Sequence, residues 1–105
     1  MIVRIWHGWT SHANAAAYQR LLDEEIFVGI RKRAIKGFRG IQLLRRGLPD
    51  EVEFVTIMTF DSLLAVQQFA GDDYEQAVVP PSARALLNRF DQRSAHYEAV
   101  TTPQG

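Results

Sequence analysis

Hydrophobic residues are spaced as in strands in some segments and as in helices in others. Residues Ile2 to Thr10 are mainly β-branched and aromatic, which predicts a first strand. The following stretch is rich in helix formers, and Ser11 is a candidate N-cap for a helix that reaches about Gly29. The predicted apolar side of this helix carries Ala13, Ala17, Leu21 and Leu22. The predicted polar side carries Gln19, Arg20, Asp23 and Glu24.

The middle of the chain predicts an antiparallel hairpin. Residues Phe38 to Arg46 and Glu51 to Phe60 have strand-like composition, and the turn residues Gly47 to Asp50 separate them. The elements predicted after the hairpin are a short helix capped by Asp61 or Ser62 and ended by Gly71, a helical turn from Asp72 to Pro80, a helical turn or ordered loop from Ser82 to Phe90, and a strand from Arg93 to Thr101.

This order of elements predicts an α+β, ferredoxin-like βαββαβ fold with a four-stranded antiparallel sheet. The 105 residues suit one domain, which we place at residues 1–101, followed by a polar tail at 102–105. Right-handed crossovers place both helices on one face of the sheet, so the other face is bare. Neither parity of the first and third strands is polar. We therefore predict a homodimer in which a second copy covers the bare face.

Composition excludes several classes of function. The 12 basic and 12 acidic residues balance, which argues against nucleic-acid or membrane-surface binding. The absence of cysteine excludes disulfides, a thiolate nucleophile and a cysteine-type zinc site. No apolar stretch approaches the roughly 20 residues of a membrane span, and no signal peptide precedes the first strand, so the expected location is the cytoplasm. Seven basic residues between positions 31 and 46 form either a solvated face or an anion-binding surface.

Three segments resemble the antibiotic biosynthesis monooxygenase family, a group of dimeric α+β barrels. They are Val3-Arg4-Ile5-Trp6-His7-Gly8, Phe60-Asp61-Ser62 leading to Phe69-Ala70-Gly71-Asp72-Asp73-Tyr74-Glu75, and His96-Tyr97-Glu98. The resemblance implies a dimer and a pocket between the sheet and the helices of each subunit. It also implies a small apolar or aromatic ligand and, for cofactor-free members, O₂ as co-substrate.

Some members of the resembled family degrade haem. They use an Asn in the first strand, a Trp at the end of the third strand, and a haem-ligating His in the helix that follows. Here His7 and Phe60 stand at the first two positions, and no His occurs between Asp61 and Ala95. The missing axial ligand argues against haem degradation. We predict no cofactor and no metal.

The three histidines are His7, His12 and His96, and an imidazole is the natural proton acceptor near neutral pH. His7 shares the parity of Trp9 and is expected to face the helices, which leaves Trp6 for the dimer face. If His96 points into the same cavity, the two histidines form an acid/base pair; otherwise they are structural residues. His12 is expected to be solvated. The residues predicted to bind substrate are Trp9, Met58, Phe60, Phe69 and Tyr74.

Three functions remain open from the sequence. The first is a cofactor-independent monooxygenase of a small aromatic or enolisable compound, with His7 as the base and His96 as the second choice. The second is a non-catalytic barrel that binds a small apolar ligand. The third is an isomerase or degradative enzyme that uses the same pocket without O₂. The fold alone does not choose between them.

Overall fold

A computed structural model describes all 105 residues and has an antiparallel sheet with helices on one face. The strands are β1 (Ile2–Thr10), β2 (Phe38–Gly47), β3 (Val52–Phe60), β4 (Leu87–Phe90) and β5 (Ala95–Glu98). The helices are α1 (His12–Leu21), a π-helical turn (Leu22–Ile26), α2 (Phe27–Lys32), α3 (Leu63–Ala70) and α4 (Pro81–Arg84). The α+β fold predicted from the sequence is confirmed. No helix is long and apolar enough to cross a membrane.

The sheet has the order β2-β3-β1, and the last position is shared by two short strands. β4 pairs with Gly8 to Thr10 at one end of β1, and β5 pairs with Ile2 to Ile5 at the other. The prediction of four strands is therefore corrected to five, although the four positions of the ferredoxin-like order remain. The single last strand predicted from Arg93 to Thr101 is wrong, because regular pairing there is limited to Ala95–Glu98.

The first helix is longer than predicted and is interrupted by the π-helical turn. Ser11 caps it as predicted, since its hydroxyl accepts a hydrogen bond from the Asn14 backbone N–H at 3.1 Å. The predicted apolar side is partly wrong. The buried residues are Ala15, Tyr18 and Leu22, whereas Ala13 and Ala17 are exposed. The π-helical turn then rotates the chain so that Phe27 is also buried.

Local signals place the hairpin and α3 where the sequence predicts them. β2 and β3 pair in register from Gly40 with Thr59 to Gly47 with Val52. Ser62 caps α3, and Gly71 ends it with φ of 92°. Two predictions in the following segment are corrected: the turn that begins at Asp72 forms no helix, and the residues 82–90 contain strand β4 as well as α4.

Gly37 lies in the connection that leads into β2 and is required by its conformation and by its neighbour. Its φ is +88°, and a Cβ at this position would lie 2.9 Å from the Cβ of Ala65. The Gly37 carbonyl accepts a hydrogen bond from the Asp61 N–H at 2.8 Å. This close approach fixes the start of α3 against the start of β2.

The covered face of the sheet carries two hydrophobic clusters. One joins α1 and α2 to β3 and α4, with Tyr18 and Phe54 in edge-to-face contact at 4.9 Å between ring centroids. The other joins α3 to the far end of β3 through Met58, Phe60 and Phe69. Ile30 and Ile41 pack against both clusters, and a space remains between the two clusters.

Candidate functional site

A cavity of about 60 Å³ lies between the two clusters, bounded by the sheet, α1, α2 and the segment Val78–Pro80. Most of its lining is apolar, and its aromatic walls come from Trp6, Tyr18, Phe27 and Phe69. The cavity is partly open to solvent, and its interior volume is about 60 Å³. This is well below the roughly 300 Å³ at which drug-sized ligand pockets begin. A molecule that binds here without rearrangement is therefore small.

The π-helical turn shapes one wall of the cavity. Leu22, Ile26 and Phe27 all line the cavity, and they begin, end and directly follow the turn. A π-helical turn adds one residue to a helix, which changes the direction in which the following side chains point. The turn thus brings three apolar side chains of one helix to the same space.

The one charged side chain that lines the cavity is Arg4. It is only 4% exposed, and burial lowers the pKa of its guanidinium to about 10, so it stays protonated at neutral pH. Its guanidinium donates to the carbonyl oxygens of Tyr74 and of Gln76, the latter at 3.1 Å. It also packs against Phe69, with its Cζ 5.4 Å from the ring centroid. None of the six ion pairs of the chain includes Arg4.

His96 lies beside Arg4, its partner across the β1–β5 ladder. The His96 Nε2 atom is 3.1 Å from the Arg4 Nη1 atom. Because a guanidinium only donates, Nε2 must accept, and the proton of the neutral ring is on Nδ1. That Nδ1 is buried and has no hydrogen-bond partner. Desolvation and the Arg4 charge lower the pKa of His96, although Glu75 opposes them.

Three hydroxyl-bearing side chains, those of Tyr18, Thr56 and Ser94, complete the polar part of the lining. Ser94 is 4% exposed, and its buried hydroxyl has no hydrogen-bond partner in the chain. Burial raises the pKa of the Tyr18 phenol well above its ordinary value, so the phenol keeps its proton and can donate a hydrogen bond. The cavity thus combines one cation and three hydroxyl groups with apolar walls.

The predicted orientation of His7 is wrong. β1 turns its even-numbered residues, among them Arg4 and Trp6, toward the cavity, so His7 faces the opposite side of the sheet. There its Nδ1 atom lies 2.9 Å from the Asp91 Oδ2 atom, and its ring stacks on Trp9. His7 and His96 are therefore not brought together, and the sheet separates His7 from a molecule in the cavity of its own subunit.

The two tryptophans exchange the places predicted for them. Trp6 lines the cavity, and its indole N–H donates to the Asp91 carbonyl oxygen at 2.8 Å. Trp9 lies on the uncovered face, where the Arg89 Cζ is 3.9 Å from the centroid of its ring. Gly8 allows this packing of Trp6, because a Cβ at Gly8 would lie 2.8 Å from the indole.

The other residues predicted to bind substrate are split between the cavity and its surroundings. Met58 and Phe69 line the cavity. Phe60 is fully buried in the neighbouring cluster and contacts Phe69 at 5.9 Å between ring centroids. Tyr74 contacts the His96 ring edge-to-face at 5.1 Å. Phe60 and Tyr74 therefore support residues of the site, and they do not line the cavity.

Sequence reasoning missed Arg4 and Ser94 as site residues. A usable signal existed only for Arg4, since it alternates with Ile2 and Trp6 in a strand that is otherwise apolar at these positions. A charged residue in such a row is either at the surface or in a functional site. Ser94 carries no local signal, because its burial depends on the pairing of the segment between β4 and β5 with the distant residues 75–77.

Comparisons with known proteins support the fold. The sequence matches no protein-family model, and no curated protein matches it. Among solved structures, a provisionally assigned antibiotic biosynthesis monooxygenase from Bacillus cereus is similar, with a TM-score of 0.64 and 12% identity over 99% of this chain and 97% of the other. A second such structure, from Deinococcus radiodurans, has a TM-score of 0.64 and 16% identity over the same shares.

The chain has the fold of the antibiotic biosynthesis monooxygenases. The haem-degrader MhuD from Mycobacterium tuberculosis, with two haems bound in its active site, is also similar; the TM-score is 0.53 and the identity 20%, over 99% of this chain and all of the other. At these identities the likeness establishes a shared fold, and the activity has to be argued from the site of this chain.

The residues of this cavity do not fit a haem. The helix after β3 contains no histidine, and its inner side is filled by Ala65, Val66 and Phe69. The nearest imidazole, that of His96, has its accepting nitrogen against Arg4. A haem is also far larger than a cavity of about 60 Å³. No cluster of three His, Asp or Glu side chains that could hold a metal ion occurs in the structure.

Proposed function

We propose that this protein binds a small aromatic or enolisable compound in the cavity of each subunit of a homodimer and oxidises it with O₂, without a cofactor. The observation that carries the proposal is the partly open cavity, which has aromatic walls and a single buried guanidinium in a fold shared with monooxygenase structures. Apolar walls suit the body of such a compound, and Arg4 suits an oxygen atom that becomes negatively charged.

The proposed oxidation uses the electrons of the substrate. A bound phenolate or enolate transfers one electron to O₂, which gives a substrate radical and superoxide. The two combine at carbon, and protonation gives a hydroperoxide. Loss of the remaining proton from that carbon breaks the O–O bond, so a carbonyl group forms and water leaves. The net change is insertion of one oxygen atom with loss of two hydrogens, and the apolar walls keep water from the intermediates.

The histidines take different roles in this proposal. His96 is the imidazole nearest to the cavity, and its Nε2 holds the Arg4 guanidinium by accepting a hydrogen bond. We therefore assign His96 to the positioning of Arg4, rather than to the base role predicted from the sequence. His7 is outside the cavity, so the substrates that fit best are acidic phenols and enols that ionise near neutral pH without a strong base.

The absence of a free imidazole in the cavity also favours a second candidate function, which is binding of a small apolar ligand without turnover. The two candidates differ in one measurable property. An oxidase consumes O₂ in the presence of its ligand, whereas a binding protein has affinity and consumes none.

The experiment measures ligand affinity and O₂ uptake for a panel of small phenols and cyclic dicarbonyl compounds. The variant Ile30→Phe fills the cavity from α2 and should abolish both signals, whereas Leu64→Phe, on the exposed side of α3, should leave both unchanged. Thermal unfolding establishes that each variant is folded. Affinity without O₂ uptake would favour the binding protein, and uptake that survives Ile30→Phe would contradict the assignment of the cavity.

The homodimer is proposed from the uncovered face of the sheet. Its centre is apolar and only half-buried in a single chain, with Ile5 directly opposite Ile57 and Val3 and Val55 beside them. Ion pairs such as Arg46–Glu53 lie at its margin. An apolar centre with a polar rim is the usual composition of a stable interface. The face carries both signs of charge, so a second copy related by a two-fold axis is the occupant that matches it.

A further inference from the structure

The guanidinium of Arg4 is buried without any negatively charged partner. Buried charges in proteins are normally paired, because removing an ion from water costs several kcal/mol. Here the partners are two carbonyl oxygens and a neutral imidazole nitrogen, which carry only partial charge. They use three of the five guanidinium N–H groups, which leaves two for another acceptor. The chain thus holds a desolvated positive charge at the wall of an apolar cavity.

A second buried group at the cavity also lacks a partner. The Ser94 hydroxyl is buried, lines the same cavity as Arg4, and makes no hydrogen bond within the chain. Buried hydroxyl groups are almost always satisfied, so an unpaired one indicates that something else is meant to occupy the space. A hydroxyl donor close to a guanidinium is the combination that recognises a negatively charged oxygen.

The acids in the segment that Arg4 contacts are paired with another cation. The carboxylates of Asp73 and Glu75 both pair with Arg93 at the surface. The Phe69 ring that Arg4 contacts is also approached by a second cation, since the Arg33 Cζ is 5.4 Å from its centroid. Because Glu75, the acid whose charge reaches His96, is paired with Arg93, the unpaired charge of Arg4 would favour an anion in the cavity.

We infer that the cavity binds its ligand as an oxyanion, that is, a phenolate, enolate or carboxylate on a small apolar body, with Arg4 and Ser94 as the groups that recognise the charged oxygen. This inference rests on the proposed function only in using the same cavity. It adds the charge state of the ligand and its orientation, with the oxygen at β1 and the apolar body toward α1 and α2. For an oxidised substrate, it means that Arg4 stabilises the electron-rich form that reacts with O₂.

The test compares ligands that differ in charge and little in shape. At about pH 8 the probe 4-nitrophenol is an anion, and 4-nitrotoluene is its neutral counterpart; benzoate supplies a carboxylate. We expect the wild-type protein to bind 4-nitrophenolate about 10- to 100-fold more tightly than 4-nitrotoluene, which is the ratio expected for a charged hydrogen bond. The absorbance of the bound phenol should also indicate a lower pKa for that phenol than in water.

The variant Arg4→Met removes the charge and keeps an apolar stem, and should abolish the preference for the anion. The matched control is Arg33→Met, because Arg33 approaches the same Phe69 ring at the same distance but does not line the cavity. Ser94→Ala, which leaves no unpaired group behind, should weaken 4-nitrophenolate binding about 3- to 10-fold. This smaller change tests the site even if Arg4→Met does not fold.

The outcomes separate this inference from the proposed function. Equal affinity for the anion and the neutral compound, unchanged in Arg4→Met and Ser94→Ala, would overturn the inference and leave the cavity as a ligand site. Binding of benzoate alone, dependent on Arg4, would support the oxyanion site and contradict a phenol or enol as substrate. Binding of none of the three compounds would overturn the inference, while O₂ uptake tests the oxidation separately.

Discussion

The two faces of the sheet differ in what covers them. Helices of the same chain cover one face. Phe54 and Phe60 are fully buried beneath them, and the small cavity at Arg4 lies on this face. No element of the chain covers the other face, where Ile5 and Ile57 are only half-buried in a single chain. The difference shows that hydrophobic residues alone do not identify a core, because both faces are apolar.

Charged residues are expected at the surface of a protein, but on this sheet one of them is buried on the covered face. The covered face contains the buried guanidinium of Arg4, whereas the uncovered face has its charges, such as those of Glu53 and Arg46, in an ion pair toward its margin. The group proposed to bind the ligand is thus buried, and the apolar residues proposed to form the dimer lie on the uncovered face. Changes on the two faces should therefore have different observable effects.

The largest expected effect on folding is that of Phe54→Ala on the covered face. Phe54 is fully buried and packs against Tyr18, so its loss leaves a void that the helices cannot fill. The free energy of unfolding should fall by about 3–5 kcal/mol. Urea denaturation measures this at a fixed protein concentration. Leu64→Ala on the exposed side of α3 is the control, and a similar loss in that variant would contradict the description of the core.

The next effect is on association and comes from Ile57→Lys on the uncovered face. Two lysines would then meet near the two-fold axis of the proposed dimer, and each should cost about 2 kcal/mol or more. The dimer should weaken by about 1,000-fold, while a single chain stays folded. Sedimentation over a range of concentrations measures the change. Leu64→Lys, equally polar but 65% exposed on α3, should keep the dimer intact. A wild-type protein that sediments as a monomer at all concentrations would refute the dimer.

The smallest effect is the pH dependence contributed by His96. Its pKa is lowered in the folded chain, chiefly by burial, so the unfolded chain binds a proton more readily. The contribution to stability is then fully present above the unfolded pKa of about 6.5 and is lost as the pH falls through the lower folded pKa. The groups that face the ring are Arg4, Tyr74 and Glu75.

The variant His96→Gln isolates this contribution. As the pH falls from about 7 to about 5, the free energy of unfolding should fall further for the wild type than for the variant. Thermal unfolding of both proteins in matched buffers measures the difference. His12→Gln serves as the control, because His12 is exposed and contacts only the carbonyl oxygens of Leu48 and Pro49. Parallel curves for wild type and His96→Gln would contradict a half-buried imidazole that stays neutral in the folded chain.

Much of the fold was predictable because its signals are local. The bounds of β1, the hairpin and the caps of α1 and α3 depend on β-branched runs, turn residues and single hydroxyl side chains. The last third was predicted less well. Residues Leu87 to Phe90 look helical in isolation, and they become a strand only because the end of β1 offers them free backbone groups.

The site was predicted less well than the fold. The alternation of residues along a strand sorts them into two faces, but it does not say which face the helices cover. The odd-numbered residues of β1, such as Val3 and Ile5, are more apolar than the even-numbered row that contains Arg4. The more apolar row was therefore assigned to the core, and His7 and Trp9 were placed in the cavity. The rule fails here because the uncovered face is as apolar as the covered one, and because the charged side chain of Arg4 is buried.

The order of the sheet leaves β2 as an outer strand, with β3 as its only neighbour. Such a strand has unpaired backbone groups, and another chain could add to them and continue the sheet without end. β2 carries Arg39, Arg45 and Arg46, and two of these are held on the sheet by ion pairs with Asp61 and Glu53. An approaching strand would have to strip water from these guanidinium groups. The basic residues of β2 therefore oppose the addition of further strands at this edge, which is consistent with the proposal that copies of this chain associate through the uncovered face.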